Sequence, residues 1–182
     1  LKKIFTKWDS AFAQKGWLSI YLANHDNARM VSRFASQKPE YRNAAAKMLN
    51  TFLLSMRGTP YCYYGDELGM NNPGFEKITD YKDGPSINEY TYKLQKGWKP
   101  ADVLKEMQFS ARDNGRTPMQ WSNAAHAGFT TGQPWLAINA NYPTVNVAAQ
   151  EADDQSSLVH FRKMVALRKA QKALVYGSYS LL

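Results

Sequence analysis

Two short apolar runs, each breaking into a polar cluster and separated by one long amphipathic stretch, constrain this chain more than any other feature. Residues 17–23 form a run that is apolar except for Ser19, with Gly16 before it and Asn24-His25-Asp26 after it. A run of that length reads as a buried strand whose C-terminal end delivers polar groups. Residues 60–64 repeat the pattern and end in Gly65-Asp66-Glu67-Leu68-Gly69. Between them, residues 40–57 carry Ala45, Met48, Leu49, Phe52, Leu53 and Met56 on one helical stripe, closed by Gly58. Strand, helix, strand with short connections is a βα unit with a parallel neighbour. The class is therefore α/β. Polar residues at both strand ends suit the catalytic face of an α/β barrel or of an open α/β sheet.

The flanks are less regular. Leu1, Ile4, Phe5, Trp8 and Phe12 have helical spacing over residues 1–13, and Gly16 ends that helix. From 70 to 155 Gly, Pro, Asn and Asp recur, and the strongest periodic piece is 101–109, with Val103, Leu104 and Met107 on one face. So long a stretch with little regular structure reads as a functional loop or a small subdomain. Residues 156–174 predict a helix with Leu158, Phe161, Met164 and Val165 inward and Arg162, Lys163, Arg168, Lys169 and Lys172 outward. A strand-like run starts at Val175.

Composition removes some function classes. The net charge of +8 invites a nucleic-acid partner, yet Lys and Arg are dispersed along the helical segments with no run of five. That pattern is a solvated basic surface, and no nucleic-acid partner is expected. No window has the length of a membrane-spanning helix, so no membrane partner is expected either. The single cysteine, Cys62, excludes an internal disulfide. Set in the apolar run 61–64, it reads as a buried structural thiol rather than a nucleophile, and one cysteine fits a cytoplasmic protein. Leu1-Lys2-Lys3-Ile4-Phe5 opens mid-pattern with neither a starting Met nor a cap, which reads as a piece of a longer protein.

Two stretches could carry chemistry. In Asn24-His25-Asp26-Asn27-Ala28-Arg29 a carboxylate and an imidazole stand side by side at the mouth of a strand. Asp accepts two hydroxyl protons at once, which matches vicinal sugar hydroxyls, and its charge suits an oxocarbenium-like transition state. A plain polar turn, with Asn24 or Asp26 capping the next segment, is the other reading. In residues 111–121, Arg112 and Arg116 flank Asp113-Asn114-Gly115. They could hold a loop together through salt bridges, or present a guanidinium fork to hydroxyls or a carboxylate. Spacing alone does not choose.

Taken in order, Asn24-His25-Asp26, Gly58-Thr59-Pro60-Tyr61, Gly65-Asp66-Glu67-Leu68-Gly69-Met70, the 111–121 stretch, Ala127-Gly128-Phe129-Thr130 and Pro134-Trp135 resemble one family. It is the α-amylase superfamily, glycoside hydrolase family 13, in its oligo-1,6-glucosidase and α-glucosidase branch. The resemblance runs from about Trp17 to Tyr179. It implies a (β/α)8 barrel of which this chain is the part from helix 6 to helix 8, with strands 7 and 8 and a long loop or subdomain at 70–155 after strand 8. Residues 1–174 would belong to the barrel and 175–182 to the start of a C-terminal β-domain.

The resemblance further implies a retaining exo-α-glucosidase acting on α-1,6 or α-1,4 bonds of short oligosaccharides, with neither cofactor nor metal. Asp26 would be the transition-state-stabilising carboxylate that grips the glucose 2- and 3-hydroxyls, and His25 its neighbour in the glucose subsite. Arg112 would bond the terminal glucose on its 4-hydroxyl side, and Arg116 would support that loop or the acceptor side. The family's nucleophile and general acid lie on strands 4 and 5, which this chain lacks. Asp66 and Glu67 read as framework, so the chain alone is expected to be inactive. Relatives often carry an acidic residue shortly after a Tyr-Arg-Asp segment. Tyr81-Lys82-Asp83-Gly84-Pro85-Ser86 has none, so an acceptor-site carboxylate is expected to be missing. A trehalose-6-phosphate hydrolase or a sugar-isomerising transglycosylase would share these motifs. A non-catalytic barrel serving as a transporter's partner subunit is disfavoured by His25, Asp26 and Arg112 together. Two barrel strands with open edges lead to an expectation of folding through self-association, swapping or a rearranged helical core.

Overall fold

The computed structural model describes residues 1–12, 15–178 and 180. Strand β1 (Ser19–Tyr21) pairs in parallel with β2 (Thr59–Tyr61), and Ile20 stands opposite Pro60. Both strands are shorter than the apolar runs that predict them. Before them lies α1 (Lys2–Phe12); between them lie α2 (Met30–Phe34) and α3 (Pro39–Ser55). Because the strands are parallel, the loops after β1 and β2 emerge at the same end of the sheet.

Apolar burial holds this first region together. Ile20 and Leu22 pack with Ala46, Leu49 and Leu53 of α3, and Phe5 of α1 meets Phe52 edge-on at 4.7 Å. Helix α3 is covered both by this core and by α7 (Ser157–Ala170). Its buried face therefore extends to Asn50 and Leu54, and Met48, expected inside, is exposed. Asn50 donates from Nδ2 to the carbonyl of Asp66, tying α3 to the loop after β2.

Arg168 corrects a second expectation. Predicted to face outward, it is buried and donates to the carbonyls of Leu54, Met56, Gly58 and Leu174. The end of α3 leaves carbonyls without helical partners, and a guanidinium satisfies several of them at once. Cys62 is also corrected: it is free and exposed. Among the described residues the sheet has two strands, so the chain leaving β2 is uncovered on one side. Local desolvation and the carboxylates of Asp66 and Glu67 push its thiol up to about 11, far from a reactive thiolate.

The 70–155 stretch holds more helix than its pattern predicts. Helix α5 (Pro100–Ser110) covers the predicted 101–109, and α4 (Gly84–Gln95) and α6 (Val147–Glu151) are additional. None of the α4 residues is fully buried; Ile87, Tyr90 and Leu94 pack partly against Tyr81, Val103 and Met107. A helix buried so lightly carries little apolar periodicity. Buried amides do much of the joining here. Asn114 Nδ2 donates to the carbonyls of Met107 and Gln108, Asn139 Nδ2 to those of Asn71 and Asn72, and Gln150 Nε2 to that of Leu68.

Near the end of the chain α8 (Ala173–Tyr176) is helical, so the strand-like run predicted from Val175 begins in a helix. Residues 179, 181 and 182 of that run lie outside the described residues. Among the described residues no helix is long and apolar enough to cross a membrane.

Candidate active site

The loop after β1 is shaped by Asn24, whose Oδ1 accepts from the Asp26 amide at 2.9 Å and from Asn27 Nδ2. Asn24 thus makes the turn, and the Asp26 side chain is left 49% exposed. The 112–115 segment is a short 3-10 turn seated directly on this loop. A Cβ on Gly115 would come within 2.3 Å of the Asn27 carbonyl, so only glycine lets the two segments approach this closely.

That contact brings four predicted residues together. Arg112 Nη1 donates to Asp26 Oδ1 at 2.8 Å, and Arg116 Nη2 reaches the same oxygen at 3.4 Å. Arg116 Nε donates to the His25 carbonyl at 2.8 Å, and His25 Nε2 lies 3.3 Å from Asp26 Oδ2. Arg112's hydrogen bond, helped by the charges of Arg112 and Arg116 and the His25 imidazole, holds the Asp26 carboxyl below the usual range against a partial desolvation.

A residue not singled out by the sequence completes the cluster. Asp83 Oδ1 lies 3.0 Å from Arg112 Nη2 and 3.1 Å from Arg116 Nη1, so both arginines bridge Asp26 and Asp83. Asp83 also caps α4: its Oδ2 accepts from the Ser86 amide at 3.0 Å and the Ser86 hydroxyl at 2.6 Å. Burial would raise its pKa, but the hydrogen bonds from Ser86, Arg112 and Arg116 outweigh that and hold it at about 2. Asp113, fully buried behind it, accepts from the amides of Lys82 and Asp83 at 2.7 and 2.8 Å. The legible signal for Asp83 was its position before Gly84-Pro85 with Ser86 three residues on, an N-cap pattern.

Chemically, the rim offers one half-open carboxylate flanked by two guanidiniums and an imidazole. Such a set can accept from and donate to neighbouring hydroxyls of one sugar. Asp83 stays ionised near neutral pH and is committed to three partners, so it cannot act as a general acid. Asp66 is buried and pushed up to about 7 by desolvation, which Arg29 opposes, and its Oδ2 accepts from the Tyr63 amide. Beside the cluster an open aromatic groove carries Tyr64, Trp121, Phe129 and Trp135, with Arg116 on its lining. Among the described residues, no group of three or more His, Cys, Asp and Glu side chains could hold a metal ion.

The family model for the α-amylase catalytic domain matches residues 1–177. This chain belongs to the α-amylase family. The family's catalytic domain is a (β/α)8 barrel, and the parallel β1–β2 pair with α3 between them is one βαβ unit, although the described chain is mostly helical.

Among α-amylase relatives, the oligo-1,6-glucosidase of Parageobacillus thermoglucosidasius is 45% identical over 183 residues, covering 100% of this chain and 32% of that protein. The trehalose-6-phosphate hydrolase of Escherichia coli (strain K12) is 44% identical over 179 residues, covering 98% and 32%. The crystal structure of isomaltulose synthase from Erwinia rhapontici NX5 superimposes with a TM-score of 0.94 at 41% identity, over 97% of this chain and 32% of that one. The chain thus spans about a third of the length of these relatives.

Proposed function

We propose that the protein is a retaining exo-acting α-glucosidase cleaving α-1,6 or α-1,4 bonds of short oligosaccharides, and that this chain forms part of its glucosyl subsite. One observation carries this reading: the Asp26 carboxylate and the Arg112 guanidinium, 86 residues apart, meet at 2.8 Å at the C-terminal end of β1. The likeness to oligo-1,6-glucosidases over the whole chain supports it. In this reading β1 and β2 are strands 7 and 8 of the barrel.

Asp26 accepts two ring hydroxyls and stabilises the positive charge that develops as the glycosidic bond breaks. His25, Arg112 and Arg116 supply donors around the same sugar. Substrate hydroxyls take over the contacts that Asp26 now makes with the arginines, while Asp83 keeps both guanidiniums tethered. A retaining mechanism also needs a nucleophile and a general acid about 5 Å apart. Asp83 and Asp66 are unsuited to either role, so the chain alone is inactive and the pair lies elsewhere in the protein.

The test uses the whole protein on isomaltose, maltose, sucrose and trehalose-6-phosphate, with glucose release as the readout; release from none of them refutes the reading. Asp26→Asn is expected to lower kcat by roughly 10²–10³-fold, the scale of removing one preorganised charge-stabilising group. Preferential cleavage of trehalose-6-phosphate would favour the hydrolase likeness, and isomerised sucrose would favour a transglycosylase.

A further inference from the structure

We propose that Arg29 is a positioning residue: it fixes the segment carrying Arg112 and Arg116 at the height where their guanidiniums meet Asp26. The catalytic side of this inference rests on the glucosyl-subsite reading. Arg29 follows Asp26 by three residues and is fully buried. It donates from Nη1 to the Tyr64 carbonyl, and from Nη2 to the Thr117 carbonyl at 3.3 Å and the Thr117 hydroxyl at 3.4 Å. Its own amide donates to Asn72 Oδ1 at 3.0 Å, and its guanidinium lies 4.6 Å from the centroid of the Tyr64 ring.

One side chain therefore ties together the loop after β1, the loop after β2 and the residue next to Arg116. The Thr117 carbonyl is held twice, because the Tyr64 hydroxyl also donates to it at 2.8 Å. Space is cleared for this staple at Gly65, where a Cβ would lie 2.8 Å from Arg29 Nη1. Burying a guanidinium against carbonyls is costly, and here Arg29 Nε is left without a hydrogen-bond partner. A plain apolar side chain would fill the space more cheaply but could not set the separation of three loops. That separation matters because the rim contacts, at 2.8–3.4 Å, sit at hydrogen-bond range, where a displacement of about 1 Å costs catalysis on the order of 100-fold.

The test compares Arg29→Lys, Arg29→Met and Tyr64→Phe in the whole protein. Lysine keeps the charge but is a single point donor rather than a fork. Arg29→Lys is expected to lower kcat about tenfold or more with KM changed far less, and Arg29→Met to lower it further. Tyr64→Phe should give a smaller loss of the same kind, and the Tyr64→Phe and Arg29→Lys effects on kcat should be non-additive, because both side chains hold one carbonyl. The Asp26 carboxyl, followed by carbon-13 NMR, should titrate higher in Arg29→Lys, since its bond from Arg112 loosens. A variant with lower Tm but unchanged kcat, KM and Asp26 titration would overturn the proposal. Should Arg29→Met fail to fold, the Lys and Phe variants decide the matter. If the unmodified protein releases no glucose, the functional reading fails, while the Asp26 titration still settles the positioning.

Discussion

The β1–α3–β2 region and the 70–155 region reach order by different means, and the candidate site lies on the seam between them. In the first, Ile20, Leu49 and Leu53 form an apolar core. In the second, Asn114, Asn139 and Gln150 bury their amides against backbone carbonyls. Apolar packing tolerates small displacements, whereas a buried hydrogen bond weakens steeply as its geometry opens. The carboxylate Asp26 comes from the first region, and Arg112, Arg116 and Asp83 come from the second. The region with the more demanding geometry thus delivers the groups that must be placed most closely.

Truncation on either side of the seam sharpens the contrast. Leu53→Ala, which empties a fully buried position, is expected to destabilise by about 2–5 kcal/mol in denaturant unfolding. Activity of the folded fraction should hardly change. Asn114→Ala removes one donor from each of the carbonyls of Met107 and Gln108, which keep the Ala111 amide and Asn72 Nδ2, and should destabilise by about 1 kcal/mol. Because Asn114 sits in the 112–115 turn, its loss should lower activity more per unit of stability lost. Equal activity loss at equal destabilisation would break the comparison.

In pH dependence, the buried Asp66 and the paired Asp83 should act with opposite signs. Asp66, raised from 3.8 to about 7 by burial, binds its proton more tightly folded than unfolded. It makes stability fall as pH rises from about 4 to about 7, and Asp66→Asn should remove that part of the decline in Tm. Asp83, lowered from 3.8 to about 2, contributes stability that is present above about 4 and lost as pH falls towards 2. Asp83→Asn should flatten the acid limb and leave the neutral limb alone. If the Asn variants exchange these signatures, the assignment of buried and paired carboxylates is wrong.

How far the sequence could be read differs between the same two regions. Helix 40–57 and strands 17–23 and 60–64 correspond to α3, β1 and β2, because periodic burial writes itself into apolar spacing. Helix α4 left no such trace, since nothing on it is fully buried. At the site, Asp26, His25, Arg112 and Arg116 could be named from their motifs, but Asp83 was not among them. Arg29 stood inside the 24–29 motif with no sign that it would be fully buried. Arg168 was placed outward because helical spacing knows nothing of the orphaned carbonyls at the end of α3.

Local pattern alone determined the α/β class, the order of the βαβ unit and the residue types offered at the strand ends. Those features depend on neighbours a few positions away, where side-chain periodicity and turn chemistry act. Tertiary structure alone decided which oxygen each guanidinium meets, that Asp83 shares both arginines with Asp26, and that Arg29 turns inward. Those outcomes depend on distances between segments tens of residues apart, set by close approaches such as Gly115 on the Asn27 carbonyl.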